Sequence, residues 1–332
     1  MSTGELNQVA ATPELSLVIP CYNEGQVLPF LKERLLHSLT ELGLSWEVIL
    51  VDDGSHDDTL RQMAALHAED LRFKVISFSR NFGHQTAVFA GMSRATGDFV
   101  ALLDADLQDP PEFVATCVAK LKEGYDVVYA VRRSRKENIL KRASYAIFYR
   151  LLKSIAEVEI PLDAGDFCVM KQSVVSVLRE MSERDVFVRG LRAWVGFRQV
   201  GIPYEREARA AGETKYPLFK LVKLAINGVF AFSALPLQLA IYLGFASVVV
   251  SLGGIVLLGC WKISDFRLFG HSPAEVPGWT SLVCLILFLG GVQFLILGIL
   301  GEFIRRIYDE LRKRPRWIVR AELGFPPKVS DD

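Results

Sequence analysis

Asp104, Ala105 and Asp106 close an apolar run inside ALLDADLQDPPE, and Gln108 follows two residues later. Two carboxylates in this arrangement offer hard oxygen ligands, a donor set that suits Mg²⁺ or Mn²⁺. A divalent ion held there bridges phosphate oxygens and stabilises a departing diphosphate. The Gln108 amide oxygen can join the same face. Asp-x-Asp by itself is common in surface turns, and its place directly after the run 98–103 is what gives it weight. Two clusters lie upstream. In VIPCYNE (18–24), Pro20 ends the apolar run, Tyr22 can stack on or line a base, and Glu24 can bond a ribose hydroxyl or a loop amide. In VDDGS (51–55), Asp53 can accept a hydrogen bond from a nucleobase N–H while Gly54 lets the chain turn tightly. The bland alternatives are a half-buried aromatic for Tyr22 and an ordinary turn for Asp-Gly.

These loops need a scaffold that brings them together. Residues 15–20, 46–52, 73–78 and 98–103 read as short, nearly continuous apolar strands, and 125–131 as another. Helical patterns fill 26–42, 57–68 and 84–95. Apolar strands alternating with helices predict an α/β fold, a mostly parallel sheet with helices on both faces. In such sheets ligands bind beyond the carboxyl ends of the strands, and all three loops fall at that edge.

The chain has 332 residues, is 51% hydrophobic and has a mean hydropathy of +0.26, high for a purely soluble protein. Its formal net charge is zero but unevenly spread. Arg132 to Lys153 holds eight Lys or Arg and one acidic residue, and Glu302 to Arg320 holds seven basic and three acidic residues. Basic segments beside membrane spans face the cytoplasm and attract anionic lipid. The five cysteines show no C-x-x-C spacing, which indicates neither a disulfide framework nor a zinc site. The polar N-terminus has no apolar core of a signal peptide, so the first domain is expected in the cytosol.

Two stretches without a charged residue, 235–260 and 280–301, are each long enough to cross a bilayer. The loop between them, 261–279, has no positive excess, whereas both flanks are basic. The expected topology is a transmembrane hairpin in the cytoplasmic membrane, with the catalytic domain and both termini in the cytosol. Residues 138–155 and 216–234 read as basic amphipathic helices suited to the bilayer interface. The expected organisation is a catalytic domain over 1–215, a juxtamembrane helix over 216–234, the hairpin over 235–301 and a basic tail over 302–332.

VIPCYNE, VDDGS, RNFGHQTAVFAG (80–91), DADLQDPPE and RAAGETKY (209–216), in this order, resemble glycosyltransferase family 2. More narrowly, they resemble its polyprenyl-phosphate branch of bactoprenol glucosyltransferases and dolichyl-phosphate mannose synthases. The resemblance spans about residues 14–320. It implies a GT-A fold, a nucleotide-sugar donor, a polyprenyl-phosphate acceptor, Mg²⁺ or Mn²⁺, and contact with the bilayer. It further implies that Pro20, Tyr22, Glu24, Val51 and Asp53 contact the nucleoside, with Ala105 and Arg209 also on the nucleotide sugar. Asp104, Asp106 and Gln108 would hold the metal. Arg132, Arg209 and Lys215 would bind phosphates, and Asp104, Asp106, Arg132 and Lys215 form the implied catalytic set. Asp163 and Asp166, in DAGDF, fall near acceptor or sugar. Arg133 is a further acceptor-side candidate that reads equally as solvated charge. Two departures stand out: Cys168 where many relatives have Arg, and Thr214 where many have Ser.

The implied reaction is inverting sugar transfer onto a lipid phosphate, most simply glucose from UDP-glucose. The lipid phosphate is already an anion, so no strong general base is needed. GDP-mannose is the alternative donor, because Asp53 suits uracil and guanine alike. A processive polysaccharide synthase fits less well, since GLRAW (190–194) does not match Q-x-x-R-W. A membrane scaffold with a dead transferase domain is the non-enzyme alternative. Apolar span faces allow self-association, and no nucleic-acid partner is expected.

Overall fold

The structure, a computed structural model, describes residues 12–132, 164–181, 187–205 and 278–326, together with scattered positions between 240 and 260. The chain divides into two compact units. One comprises Met1–Lys153, Val158–Tyr216 and Arg314–Asp332, and the other Ser154–Glu157 and Pro217–Lys313.

The first unit is built on one eight-stranded sheet. Its elements are β1 (Leu15–Cys21), α1 (Leu28–Leu42), β2 (Trp46–Asp52), α2 (Thr59–Glu69), β3 (Phe73–Phe78), α3 (His84–Arg94), β4 (Phe99–Leu102), α4 (Phe113–Lys122), β5 (Val127–Arg132), β6 (Ala164–Lys171), α5 (Gln172–Glu180), α6 (Val188–Trp194), β7 (Gln199–Tyr204) and β8 (Val319–Leu323). The strand order is β7-β5-β6-β4-β1-β2-β3-β8. The predicted parallel core is β3-β2-β1-β4, and only β6 and β8 run against the other strands.

The apolar runs are continuous because both faces of the strands are covered. Leu17, Ile19, Val48 and Leu50 pack with the α1 stripe Leu28, Leu31, Leu35 and Leu39 and with residues of α2 and α4. The alternate residues Val18, Ile49 and Val51 pack with α3, α5 and α6. Helix α3 lies close to β1: a Cβ at Gly91 would stand 2.3 Å from Val18 Cγ1. Only a residue without a side chain permits that approach.

The stretch expected as a basic tail contributes to this unit. Strand β8 pairs antiparallel with β3, Val75 opposite Leu323. Just before it, Trp317 stacks on Phe78 at 6.3 Å and the Arg316 guanidinium lies 4.6 Å from the Phe89 ring. The Ser79 amide donates to the Ile318 carbonyl at 2.9 Å, and Arg94 pairs with Glu322. The tail thus covers the β3 edge, which would otherwise present unpaired backbone groups.

In the second unit, α7 (Gly278–Leu311) is one 34-residue helix. Its stretch Phe288–Arg305 has a mean hydropathy of 1.6, none of it is buried within the protein, and it is long and apolar enough to cross a membrane. It is the only such helix among the described residues. The expected first span, 235–260, lies mostly outside the described residues, although 242–246 is helical and Gly244 lies against Ile296. The amphipathic stretches 138–155 and 216–234 lie outside them altogether.

Candidate active site

Strand register sets the site. Cys21 pairs with Asp52, so the loops after β1 and β2 leave the sheet side by side. The Asn23 amide donates to Ser55 Oγ at 3.0 Å, and the His56 amide donates back to Asn23 Oδ1 at 2.9 Å. The Glu24 amide donates to Thr59 Oγ1 at 2.9 Å, and the Glu24 carbonyl accepts from Val27 and Leu28 at the entry to α1. Asn23 takes a left-handed φ of +55°, which its short polar side chain tolerates. This rigid double loop leaves Tyr22 43% exposed at the carboxyl edge.

The two aspartates of VDDGS are structural anchors. Asp52 accepts from the Ser55 amide at 2.9 Å and from Ser77 Oγ at 2.8 Å. Asp53 accepts from the Phe82 amide at 2.7 Å and from the Gly83 amide on both oxygens, at 3.2 and 3.0 Å. Burial pushes the Asp53 carboxyl up, against the two amides that pull it down. At 3% exposure and with both oxygens accepting from backbone amides, Asp53 builds the 80–83 loop beside the expected nucleoside position. Gly54 is required as the turn predicted, at φ +69° and with a Cβ position only 2.4 Å from the Arg80 carbonyl carbon.

The Val51 side chain is fully buried in the layer shared with α3, which leaves only its backbone to meet a nucleoside. The reason is alternation along β2: Val51 follows Ile49 onto the α3 face. Pro20 pairs with Val51 and is buried. The Ala105 methyl packs in the α1–α4 core, which leaves only its backbone to meet a ligand.

Beyond β4, the Leu103 amide still donates to Val18 at 3.1 Å, and the chain then turns through 104–108. The Gln108 amide donates to Asp106 Oδ1 at 3.2 Å, an Asx turn. Between them Leu107 sits at φ +58°, a backbone that costs an L-residue about 1–2 kcal/mol. Burying its side chain in the core offsets that strain and fixes the loop. Asp109 is buried and accepts a hydrogen bond from Tyr204 Oη at the end of β7.

Asp166 reaches this loop through β6. The last β4–β6 pair is Leu102 with Cys168, and two residues further the same antiparallel register sets Asp104 across from Asp166. His84, the first residue of α3, stands between them, its Nε2 3.6 Å from Asp104 Oδ1 and 3.8 Å from Asp166 Oδ2. Gln85 Nε2 donates to Asp166 Oδ2 at 3.2 Å and Arg189 Nη2 to Oδ1 at 3.1 Å. The two carboxyls differ. Asp104 is pushed up to about 6 by burial and by Asp166, Asp109 and Asp106, with His84 opposing. Burial also acts on Asp166, but Arg189 and His84 outweigh it and hold it below the usual range.

Behind Asp166, Arg192 is 1% exposed, and its Nε and Nη2 have no hydrogen-bond partner among the described residues. Its guanidinium lies 4.8 Å from the Tyr129 ring and beside Cys168, so α6 supplies a positive charge next to that cysteine. His84, Gln85, Arg189 and Arg192 are what residue types alone did not reveal. The RNFGHQTAVFAG stretch carried the first two without assigning them a role.

Arg132 closes β5 with its backbone paired to Tyr204. Lys215, Arg209, Asp163 and Arg133 lie outside the described residues. No group of three or more His, Cys, Asp or Glu among the described residues is arranged to hold a metal unaided.

The profile of glycosyl transferase family 2 matches residues 16–179, which contain every loop of this edge described above from VIPCYNE to DAGDF. The uncharacterized glycosyltransferase YkcC of Bacillus subtilis is 42% identical over 95% of this chain and 96% of its own. The chain belongs to glycosyl transferase family 2. The prophage bactoprenol glucosyl transferase homolog of Escherichia coli is 38% identical over 92% of this chain and 98% of its own. The bactoprenol glucosyl transferase of Shigella phage SfV is 37% identical, over 93% and 99%. Membership makes the protein a glycosyltransferase with a GT-A-like α/β domain, and the carboxyl edge of its sheet is the candidate active site.

Proposed function

We propose that this transferase moves a hexose from a nucleoside diphosphate sugar to a polyprenyl phosphate, with inversion. The observation that carries the reading is Asp104 and Asp106 at the carboxyl edge, in a chain that continues into a helix able to cross a membrane. The relatives named as bactoprenol glucosyl transferases support the lipid acceptor and favour glucose.

Asp104 and Asp106 fit a divalent cation. They are hard donors, and a positive charge would offset the burial and the neighbouring carboxylates that raise Asp104. With the Gln108 amide oxygen they would hold Mg²⁺ or Mn²⁺ and leave coordination positions open. When bound, such an ion neutralises the leaving diphosphate. Tyr22 and the 22–24 and 80–83 loops receive the nucleoside. Asp166 takes sugar hydroxyls, and Arg132, Arg209 and Lys215 hold phosphates of donor and acceptor. The phosphate nucleophile is an anion already, so the protein's task is to align two anionic reactants and screen their repulsion.

The domain layout proposed is a cytosolic catalytic unit, interfacial helices over 138–155 and 216–234, and a hairpin of 235–260 and 280–301. A cysteine at Ser272 should label from outside intact cells and one at Ser330 should not; the reverse pattern excludes this topology. The reaction is tested with purified protein in detergent, Mn²⁺ and undecaprenyl phosphate. Labelled UDP-glucose, UDP-galactose and GDP-mannose are offered separately, with Asp106→Ala as control. Transfer of label into lipid from one donor, lost in the variant, supports the reading and names the sugar. Transfer from none sinks it.

A further inference from the structure

Gln85 makes two hydrogen bonds whose directions fix each other. The Val188 backbone N–H can only donate, so the atom it meets at 3.0 Å is Gln85 Oε1. The amide nitrogen then faces Asp166 Oδ2 at 3.2 Å. One side chain thus ties the first residue of α6 to a carboxylate on β6. Its own position is set from the other side, because Asp53 holds Phe82 and Gly83 just ahead of it.

Asp166 is consequently gripped on each oxygen by a different element, Gln85 of α3 on Oδ2 and Arg189 of α6 on Oδ1. Across His84 it faces Asp104, where the reading above puts the diphosphate. On that reading, a sugar bonded to the diphosphate would face these groups. A carboxylate fixed there accepts from hydroxyl groups with defined direction, whereas a loose one swings toward Arg189.

We propose that Gln85 is a positioning residue for the donated sugar: it does not touch the substrate, but it aims the Asp166 carboxylate at the sugar's hydroxyls. This rests on the reading of the chain as a nucleotide-sugar transferase. It predicts a split that general loosening of the fold does not. Sugar recognition depends on Gln85, and nucleotide recognition does not.

Gln85→Glu separates the two bonds. It keeps an acceptor for Val188 and replaces the donor facing Asp166 with a like charge. Full-length protein in detergent with Mn²⁺ is titrated calorimetrically with UDP-glucose against UDP, and with GDP-mannose against GDP. The expected result is a Kd for the preferred nucleotide sugar weakened about tenfold or more. The Kd for its nucleoside diphosphate should move by less than about twofold. Equal weakening of both, or of neither, overturns the role of Gln85. Adding Asp166→Asn restores a hydrogen bond of reversed polarity without the carboxylate, and sugar binding should stay weak; recovery would reduce the pair to a structural tie. If Gln85→Glu does not fold, Arg189→Gln loosens the other oxygen and should show the same split, and its absence there overturns the proposal. A wild-type protein that binds neither nucleotide sugar sinks the transferase reading itself.

Discussion

The parallel strands carry carboxylates at both ends, under opposite electrostatics. At the amino ends, Glu47 accepts from Ser16 Oγ at 2.5 Å and from the Thr96 amide and hydroxyl at 2.9 Å each, and pairs with Lys74 at 2.5 Å. Burial alone would raise it, but Lys74 and these donors hold it below the usual carboxylate range. At the carboxyl ends, Asp104 has His84 at 3.6 Å and three other carboxylates around it, and is pushed up to about 6. Glu47 is satisfied by neighbouring donors and a lysine, whereas Asp104 sits mainly among other carboxylates. A site that binds a cation and an anion pair keeps unbalanced charge in its unliganded form, at the expense of stability.

The largest effect expected from breaking this contrast is at the unbalanced end. Asp104→Asn removes a metal donor and should lower transfer on the order of 10³-fold. Because it also removes like-charge repulsion, its midpoint of thermal unfolding in EDTA should be no lower than that of the wild type. A variant both inactive and clearly destabilised would show that Asp104 belongs to the scaffold.

Glu47→Gln is the converse, expected to cost stability with little change in transfer per folded molecule. The loss should be about 2–3 kcal/mol, since Lys74 stays without its partner in a half-buried place. Its pH dependence has a definite sign. The folded-state value lies below the ordinary 4.5, so the native state binds fewer protons than the unfolded state in that window. The contribution of Glu47 is full above about 4.5 and is lost as pH falls through the lowered value. The gap between wild type and variant should therefore close on acidification, and a gap that widens would refute the assignment.

The parallel core was legible because its signal is local. Strands over 46–52 and 73–78 fall at the predicted limits, since apolar runs bounded by turns carry both position and length. The placement of Asp104 and Asp106 just beyond β4 was legible for the same reason. Asp166 as the partner of Asp104 was not, because it depends on a strand some sixty residues later pairing antiparallel in one register. Gln85 looks like any polar residue at the start of a helix until Val188 and Asp166 meet it. The burial of Val51 was not legible, because its motif lies at the edge while its side chain follows the alternation of the strand into the core. β8 was missed since VRAEL, read alone, is a mixed-charge segment, and only the open edge of β3 makes it a strand.

The smallest effect expected comes from Asp109, which lies in the unbalanced cluster yet is held as the amino-end carboxylate is held. It accepts from Tyr204 Oη, and the Tyr204 ring packs with Phe113 and Phe167. Tyr204→Phe keeps that packing and removes one group that holds Asp109, so stability should fall by roughly 1 kcal/mol. Tyr204 is also the last residue of β7, ahead of the stretch with Arg209 and Lys215, and its bond fastens that exit to the loop of Asp104 and Asp106. Transfer should therefore fall several-fold at saturating donor, beyond what the stability change explains, with nucleoside diphosphate affinity kept. If transfer per folded molecule is untouched, the bond serves the scaffold alone, and Asp109 belongs with Glu47 rather than with Asp104.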